Sequence, residues 1–442
     1  MIRQRLLPLF TLLLAAGGAF AQKPISLKEA IHYSLEHHGS NRIMGNQQEI
    51  ARQQAREALS AYLPQVSASA TVDDNIKRQS TVLPGAIFGA PGDIKVQMGN
   101  KYNSMANLQL DQTLYDQSLL YGLKAAGPNQ KIAELNKKQN DEDLVFRTST
   151  AYAQILILKE QQKLLDTNEK QYKDLYNITK FRFDKGVAKK VDLDRVQVNL
   201  NNISAQKKAV QSGMDVAYNS LKNAMGLPLS DQIVVEDSLD FRNYQSLPPA
   251  AGVQGRTDYQ LAQQNILLQE IDVKRKQAAY LPTVSAYARY GGQAFGNELG
   301  KALTDWNDYS AIGLKLNIPI FSSRRRESQL KQSRLELENA RQNLKLSEQN
   351  LELESQNAGR QLQESTSNLL INRNNMELAK SVYETSQFEY SKGVSTMSDL
   401  LNADFSYREA QSNYMTSLLN LVSSRLEYEK AKGTLQEFIN QL

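Results

Sequence analysis

Few residues in this chain have the types and spacing that could carry a reaction. The three histidines, His32, His37 and His38, fall close together near the N-terminus, with no cysteine or third separated ligand to complete a metal site. Surface or packing roles are expected of them. The chain has no cysteine at all, which removes disulfides, thiolate metal sites and thiol nucleophiles, and leaves no residue to carry a lipid after cleavage. No spacing argument assembles Ser, His and Asp into a triad. Gly85 and Gly291-Gly292 lack the strand-to-helix setting of a phosphate loop. These observations predict a protein that is not an enzyme and holds neither metal nor cofactor.

What remains is a pair of matching stretches suited to binding or to ion selection. Phe181-Arg-Phe-Asp-Lys-Gly-Val187 returns as Phe388-Glu-Tyr-Ser-Lys-Gly-Val394, and Asp192-Leu193 returns as Asp399-Leu400. Lys185-Gly186-Val187 and Lys392-Gly393-Val394 read as helix-ending turns: glycine reaches positive φ freely, and lysine favours the negative end of a helix. Asp192 and Asp399 read as N-caps of the following helices, each worth about 1 kcal/mol. Asn402 stands one helical turn beyond Asp399.

The elements that position these turns repeat. Ala61-Tyr-Leu-Pro-Gln-Val-Ser-Ala68 recurs as Ala279-Tyr-Leu-Pro-Thr-Val-Ser-Ala286, and Leu108, Leu110, Leu114 and Tyr115 are echoed by Leu314, Leu316, Ile320 and Phe321. The chain is expected to be an internal duplication, residues 22–245 and 246–442, joined at the proline-rich Ser246-Leu-Pro-Pro-Ala250. Each half reads as a helix, a strand, a loop, a strand and two long helices. The first helix opens on a capping box, Ser26-Leu-Lys-Glu29, and is predicted to run to about Ala61, before Pro64. Its counterpart is predicted over 258–280. Long helices are predicted over 131–185, 192–224, 326–390 and 399–433, with a kink or delayed start at Gly127-Pro128. Leu330, Leu337, Leu344, Leu351 and Ala358 mark a seven-residue coiled-coil seam.

Strands are predicted near 64–75, 104–115, 282–292 and 309–321. Ile312, Leu314, Leu316, Ile318 and Ile320 alternate with Gly313, Lys315, Asn317 and Pro319, which puts every apolar side chain on one face. Such strands suit a membrane barrel wall or, equally, a sheet half-buried on helices. Thr81 to Lys101 and Asn297 to Asp308 read as exposed loops. Tyr287, Tyr290, Tyr309 and Trp306 could form an interfacial aromatic girdle or pack among the strands.

Arg3 and Arg5, the apolar run Leu6 to Ala16 and Ala19-Phe20-Ala21 predict a signal peptide over 1–21. Beyond it no apolar run approaches the ~18 residues of a membrane-spanning helix, so attachment to a membrane must come from strands or surface contact. Without Arg3 and Arg5 the chain keeps 50 basic against 47 acidic residues, a net of +3 that argues against a nucleic-acid partner. A hydrophobic fraction of 41% and a mean hydropathy of −0.51 suit extended helices that bury a narrow stripe. Four strands cannot close a membrane barrel, for which about eight is the minimum, so subunits would have to share one.

The paired Leu-Pro-x-Val-Ser-Ala segments, Leu316-Asn-Ile-Pro-Ile-Phe321 and the Lys-Gly-Val turns ahead of Asp192 and Asp399 together resemble TolC-like outer-membrane efflux proteins. The resemblance covers nearly the whole chain after residue 21. It implies a mainly α fold with a small β part: a long α-helical coiled-coil barrel joined to a transmembrane β-barrel, internally duplicated, four strands per chain and trimeric. It further implies a passive duct in the outer membrane of a Gram-negative bacterium, with a periplasmic helical extension, serving tripartite efflux or type I secretion. The partners it implies are two further copies, a periplasmic adaptor protein, an inner-membrane pump and outer-membrane lipid. Lys185, Gly186, Val187, Lys392, Gly393 and Val394 would then form the adaptor-binding tip, and Asp399, Asn402 and Asp192 the channel aperture. The family often has a carboxylate where Asn402 stands, and has members with a lipidated N-terminal cysteine that this chain lacks. Thr113 stands where the second half has Pro319. A structural coiled-coil envelope protein or adhesin is the alternative for which the heptads alone would suffice.

Overall fold

The structure is a computed structural model that describes residues 24–89, 91–236, 244 and 252–441, the side chains of Ile87 and Phe88 excepted. The signal-peptide reading of 1–21 and the junction at 246–250 lie outside the described residues. In chain order the first half holds α1 (Leu27–His37), α2 (Gly39–Ser60), β1 (Gln65–Asp74), β2 (Ser80–Leu83), β3 (Ile94–Gln97), β4 (Tyr102–Tyr115), α3 (Gln117–Lys124), α4 (Ala126–Asp184) and α5 (Lys190–Met225). The second half holds α6 (Thr257–Ala278), β5 (Thr283–Gly296), α7 (Leu299–Thr304), β6 (Trp306–Asn317), α8 (Arg325–Lys392), α9 (Met397–Lys432) and α10 (Leu435–Gln441).

These elements assemble into two units that do not follow the tandem halves. One comprises Met1–Gly39, Glu142–Pro249 and Asn357–Leu442, the other Ser40–Asp141 and Ala250–Gln356. Each half supplies the same kinds of element in the same order, so like joins like: strands with strands, helix ends with helix ends.

The sheet unit is built on one antiparallel sheet of order β1-β4-β5-β6. Its register explains why four separately amphipathic strands make one amphipathic surface. Val66 pairs with Leu110 and Ala68 with Leu108, Leu108 pairs with Tyr290 and Leu110 with Ala288, and Ala288 and Ala286 pair with Ile312 and Leu314. Directly opposed residues share a face, so these aliphatic residues gather on one side, while Met105 and Phe295 fall on the other. The other side carries Ser67, Ser69, Gln109, Asp111, Ser285 and Lys315. Ile312, at 88% exposure, and Leu314, at 72%, find no cover among the described residues. The sequence left a sheet half-buried on helices open, and that reading would have covered them. β6 stops at Asn317, short of the expected 321, because Pro319 has no N–H to donate; Ile318 and Ile320 fall beyond it.

The aromatic group expected around the last two strands divides between the faces. Tyr290 and Trp306 lie on the apolar side, and Tyr287 and Tyr309 on the polar side. Tyr287 lies across Gly313, its hydroxyl 2.6 Å from where a Cβ there would stand.

Three further expectations are corrected. The stretch 81–101 is not an irregular loop: it holds the β2–β3 hairpin and a short 3-10 turn, Gly85–Phe88. The stretch 297–308 contains α7 and the first residues of β6. Gly127-Pro128 does not delay α4 but lies in its first turn, where the N–H that proline lacks would have had no helical partner. The break instead falls at Ala125, after α3, whose N-cap Asp116 accepts from Ser118 and Leu119 N–H at 2.9 and 3.0 Å.

In the helical unit α1 begins at the expected capping box: Glu29 N–H donates to Ser26 Oγ at 3.2 Å and Ser26 N–H to Glu29 Oε2 at 2.9 Å. The single helix expected to Ala61 is two, broken at His38. There the backbone lies against the left-handed turn at Gly226 that ends α5, and Ser34 Oγ donates to Ala224 O at 2.7 Å. Ala30 of α1 packs among Tyr152, Ile155, Leu221 and Met225 of α4 and α5. Ile31 faces a larger cluster that includes Leu362, Leu418, Leu421, Leu426 and Phe438. Buried positions carry the seam of α8 past Ala358: Ser365 extends the named row, and Ser355, Leu362, Leu369 and Tyr383 form a second row at multiples of seven. A seam with serine among its knobs explains how so polar a chain still packs.

Candidate functional site

The two Lys-Gly-Val turns lie in the helical unit and share one backbone. Gly186 has φ +74° and Gly393 φ +75°, a region that costs a residue with a Cβ about 1 to 2 kcal/mol. Val187 N–H reaches back to Arg182 O at 2.8 Å, and Val394 N–H to Glu389 O at 3.0 Å, the bonds that close a helix on a left-handed glycine. Lys185 stands over the Phe181 ring at 5.6 Å and Lys392 over Phe388 at 5.3 Å. Val187 and Val394 are 79% and 78% exposed, so neither turn hides its apolar residue.

Arg182 brings the turns together. Its guanidinium lies 5.0 Å over the Tyr390 ring and donates to Ser391 O at 3.5 Å. Sequence reasoning passed over this residue, since nothing local distinguishes it from other basic residues near the end of α4.

The helices that leave the turns start differently. At α9 the N-cap is Thr396, not Asp399 as expected; Asp399 is the third helical residue and completes a capping box. Asp399 N–H donates to Thr396 Oγ1 at 3.2 Å, while Thr396 N–H and Oγ1 donate to Asp399 Oδ2 at 3.0 and 2.6 Å. The Thr396 hydroxyl and backbone N–H hold the Asp399 carboxyl below the usual aspartate range. A Thr three residues ahead of an acid was visible in the sequence. At α5 the N-cap is Lys189, with no side-chain hydrogen bond, and Asp192 lies 3.9 Å from Arg195. Asp192 is likewise the third residue and not the cap. Asp399 and Asn402 are exposed and Asp192 is half-buried.

Behind Asp399 sits a polar node that sequence reasoning did not find. Asp404, 4% exposed, accepts from the Tyr172 hydroxyl and from Arg408 Nε at 2.7 Å. Arg408 also donates to Asn199 Oδ1 at 3.2 Å, so α4, α5 and α9 meet here. Burial pushes the Asp404 carboxyl upward against the opposing pull of Arg408 and Tyr172. Burial also pushes Tyr383 up to about 12, and its ring stacks on Tyr407 at 5.7 Å. An Asp-x-x-x-Arg spacing was the available signal, but it marks surface pairs far more often.

The histidines take local roles. His32 pairs with Glu36 at 3.2 Å, and His37 stacks on Tyr33 with ring centroids 4.2 Å apart. Among the described residues no group of three or more His, Asp or Glu could hold a metal ion, and no helix is long and apolar enough to cross a membrane.

The family model described as outer membrane efflux protein matches residues 44–227 and 253–434. The chain is similar to outer membrane protein TolC of Vibrio cholerae serotype O1, 20% identical over 449 residues that span 98% of this chain and 96% of that protein. It is also similar to the alkaline protease secretion protein AprF of Pseudomonas aeruginosa, 22% identical over 333 residues, 73% of this chain and 66% of that relative. The chain thus spans about two thirds of the length of the latter. Among solved structures, the outer membrane protein VceC of Vibrio cholerae has a TM-score of 0.75 and 18% identity, covering 92% of this chain and 96% of that one, a likeness of fold.

Proposed function

The chain belongs to the outer membrane efflux protein family of channel proteins and resides in the outer membrane, and from this premise we propose that three copies form a passive duct. The duct would serve a tripartite efflux or type I secretion system and perform no chemistry of its own. One observation carries this reading: the register of β1-β4-β5-β6 gathers the aliphatic residues Val66, Leu108, Leu110, Ile312, Leu314 and Leu316 on one exposed face while β1 and β6 remain edges. A sheet edge in lipid leaves backbone groups unpaired at several kcal/mol each, roughly the penalty that forces membrane sheets to close. Pairing β6 of one copy with β1 of the next closes twelve strands under three-fold symmetry. The apolar face then meets lipid and the Ser, Asn and Lys face meets water. A structural coiled-coil protein or adhesin has no need of such a sheet.

The Lys-Gly-Val turns are the docking points for a periplasmic adaptor, which couples the duct to an inner-membrane pump. Support comes from two apolar side chains, Val187 and Val394, held in the open by turns whose structural duty the glycines already discharge. Asp399, with Asn402 one turn on and Asp192 in the first half, lines the aperture. Both Thr396 bonds use Asp399 Oδ2, and the side chain is exposed, so its cap role and an ion-facing role coexist.

Outer-membrane fractions run on SDS gels with and without boiling test the duct. A heat-modifiable trimer that conducts in planar bilayers is expected; a monomer at every temperature without conductance overturns the reading. In the same bilayers Asp399→Ala is expected to lower cation preference and weaken block by multivalent cations. Unchanged selectivity and block would leave Asp399 as a capping residue only.

A further inference from the structure

The two turns share a backbone but not a charge. In segment 180–195, Lys180, Arg182, Lys185, Lys189, Lys190 and Arg195 stand against Asp184, Asp192 and Asp194, a net of +3. The equivalent segment, 387–402, holds Glu389, Lys392 and Asp399, a net of −1. Arg182 is engaged with the second turn and Arg195 lies beside Asp192. Lys180, Lys185, Lys189 and Lys190 are all exposed and form no ion pair among the described residues.

The negative end of α4 accounts for Lys180 and Lys185, but folding gives no reason for Lys189 and Lys190. Lys189 and Lys190 occupy the N-cap and first position of α5, the positive end of the helix dipole, where a cation is disfavoured. A capping side chain would serve α5 better there, as Thr396 serves α9. The like charges also repel one another. Between these cations along the chain lie Phe181, 64% exposed and under Lys185, and Val187. An apolar centre ringed by unpaired cations matches a partner surface that is apolar at its centre and acidic around it, since complementary rims steer encounter and reject the wrong partner.

We propose that the α4/α5 turn is the charge-selective half of the docking surface and takes an acidic, apolar-centred segment of the periplasmic partner, while the α8/α9 turn takes no part in that selection. This rests on the duct reading and deepens it. The discriminating probes are two synthetic peptides with the same leucine centre, one flanked by glutamates and the other by lysines. They are titrated against the immobilised full-length channel in detergent.

The glutamate peptide is expected to bind about tenfold tighter at roughly 50 mM salt, the difference collapsing near 0.5 M as screening shortens to a few ångström. The triple variant Lys180→Gln, Lys189→Gln, Lys190→Gln should erase the preference, and Glu389→Gln on the other turn should leave it intact. Equal binding, no binding, or a preference that survives the triple variant overturns the proposal. A patch that ignores both peptides yet holds phosphatidylglycerol vesicles through the same lysines serves a lipid surface, which also overturns it. If the triple variant fails to assemble, Lys189→Gln alone must show a partial loss. Trimer formation and conductance are read separately, so a failed duct and a failed charge preference remain distinguishable.

Discussion

The turn from α4 to α5 and the turn from α8 to α9 end their first helix alike, on a glycine at φ +74° or +75° with a valine N–H closing the last turn. They launch the second helix differently. α9 starts on a capping box and is anchored by a buried carboxylate, Asp404, bound to Tyr172 and Arg408. α5 starts on an uncapped lysine, and Gln197, which stands where the duplication would place Asp404, bonds only to Asn201 on its own helix at 2.9 Å. Duplicated sequence therefore preserved the geometry of the turn and let its supports diverge. Both second helices pack into one cluster, Val196 and Ile203 of α5 with Met397 and Leu400 of α9, but only α9 adds a capping box and a buried carboxylate near its start.

The largest expected break in this comparison comes at Asp404. Asp404→Ala strands Arg408 with only Asn199 and leaves the Tyr172 hydroxyl without its acceptor, a change that typically destabilises by about 3 to 5 kcal/mol. Gln197→Ala should stay within roughly 0.5 kcal/mol. Thermal unfolding of the detergent-solubilised protein measures both, and equal effects would show that the two sides are not differently anchored.

Next in size are the glycines. Gly186→Val and Gly393→Val should each cost about 1 to 2 kcal/mol, with matching values because the backbone is the same. Export assayed in cells should fall while trimer abundance holds. A large inequality between the two would mean that the supports reach the turns themselves.

Capping gives a smaller effect with a sign that differs between the sides. Thr396→Ala should cost about 1 kcal/mol, whereas Lys189→Ser, which offers α5 a cap it lacks, should gain a few tenths to 1 kcal/mol. Stability melts of the two variants decide it; loss from Lys189→Ser would sink the idea that α5 gives up a cap there.

The smallest expected effect is in pH. The folded Asp399 carboxyl is depressed, so its contribution is present above the unfolded value near 4 and is lost as pH falls through the folded value. The folded Asp404 carboxyl is raised, so its contribution is complete below the unfolded value and fades as pH rises through the folded one. Acid should therefore narrow the gap between wild type and Thr396→Ala below about pH 4. A gap that widens there would contradict the direction assigned to Asp399.

Much of this was legible because its causes are local. The alternation from Ile312 to Leu316 needs only the two-residue period of a strand, and Gly186 and Gly393 announce positive φ by themselves. Ser26-Leu-Lys-Glu29 was recognised as a capping box; Thr396-Met-Ser-Asp399 obeys the same rule with Thr for Ser and the shorter Asp for Glu, and was passed over in favour of a single-residue cap. The β2–β3 hairpin escaped because four-residue strands set among glycines and prolines leave almost no periodic signal.

The sequence by itself determined the four long helices, the alternating faces of the main strands and the two turns, since each depends on residues within a few positions of one another. Only the tertiary structure decided where α1 breaks, because that depends on His38 meeting Gly226 far along the chain. It likewise decided which carboxylate near the turns is buried: Asp404 is an ordinary surface acid until Tyr172, 232 residues away, closes over it. The charge left on the α4/α5 turn belongs to both levels. The lysines can be counted in the sequence, but only the folded chain shows that among the described residues no acid comes back to meet Lys180, Lys185, Lys189 or Lys190, because pairing is set by which surfaces fold together and not by composition.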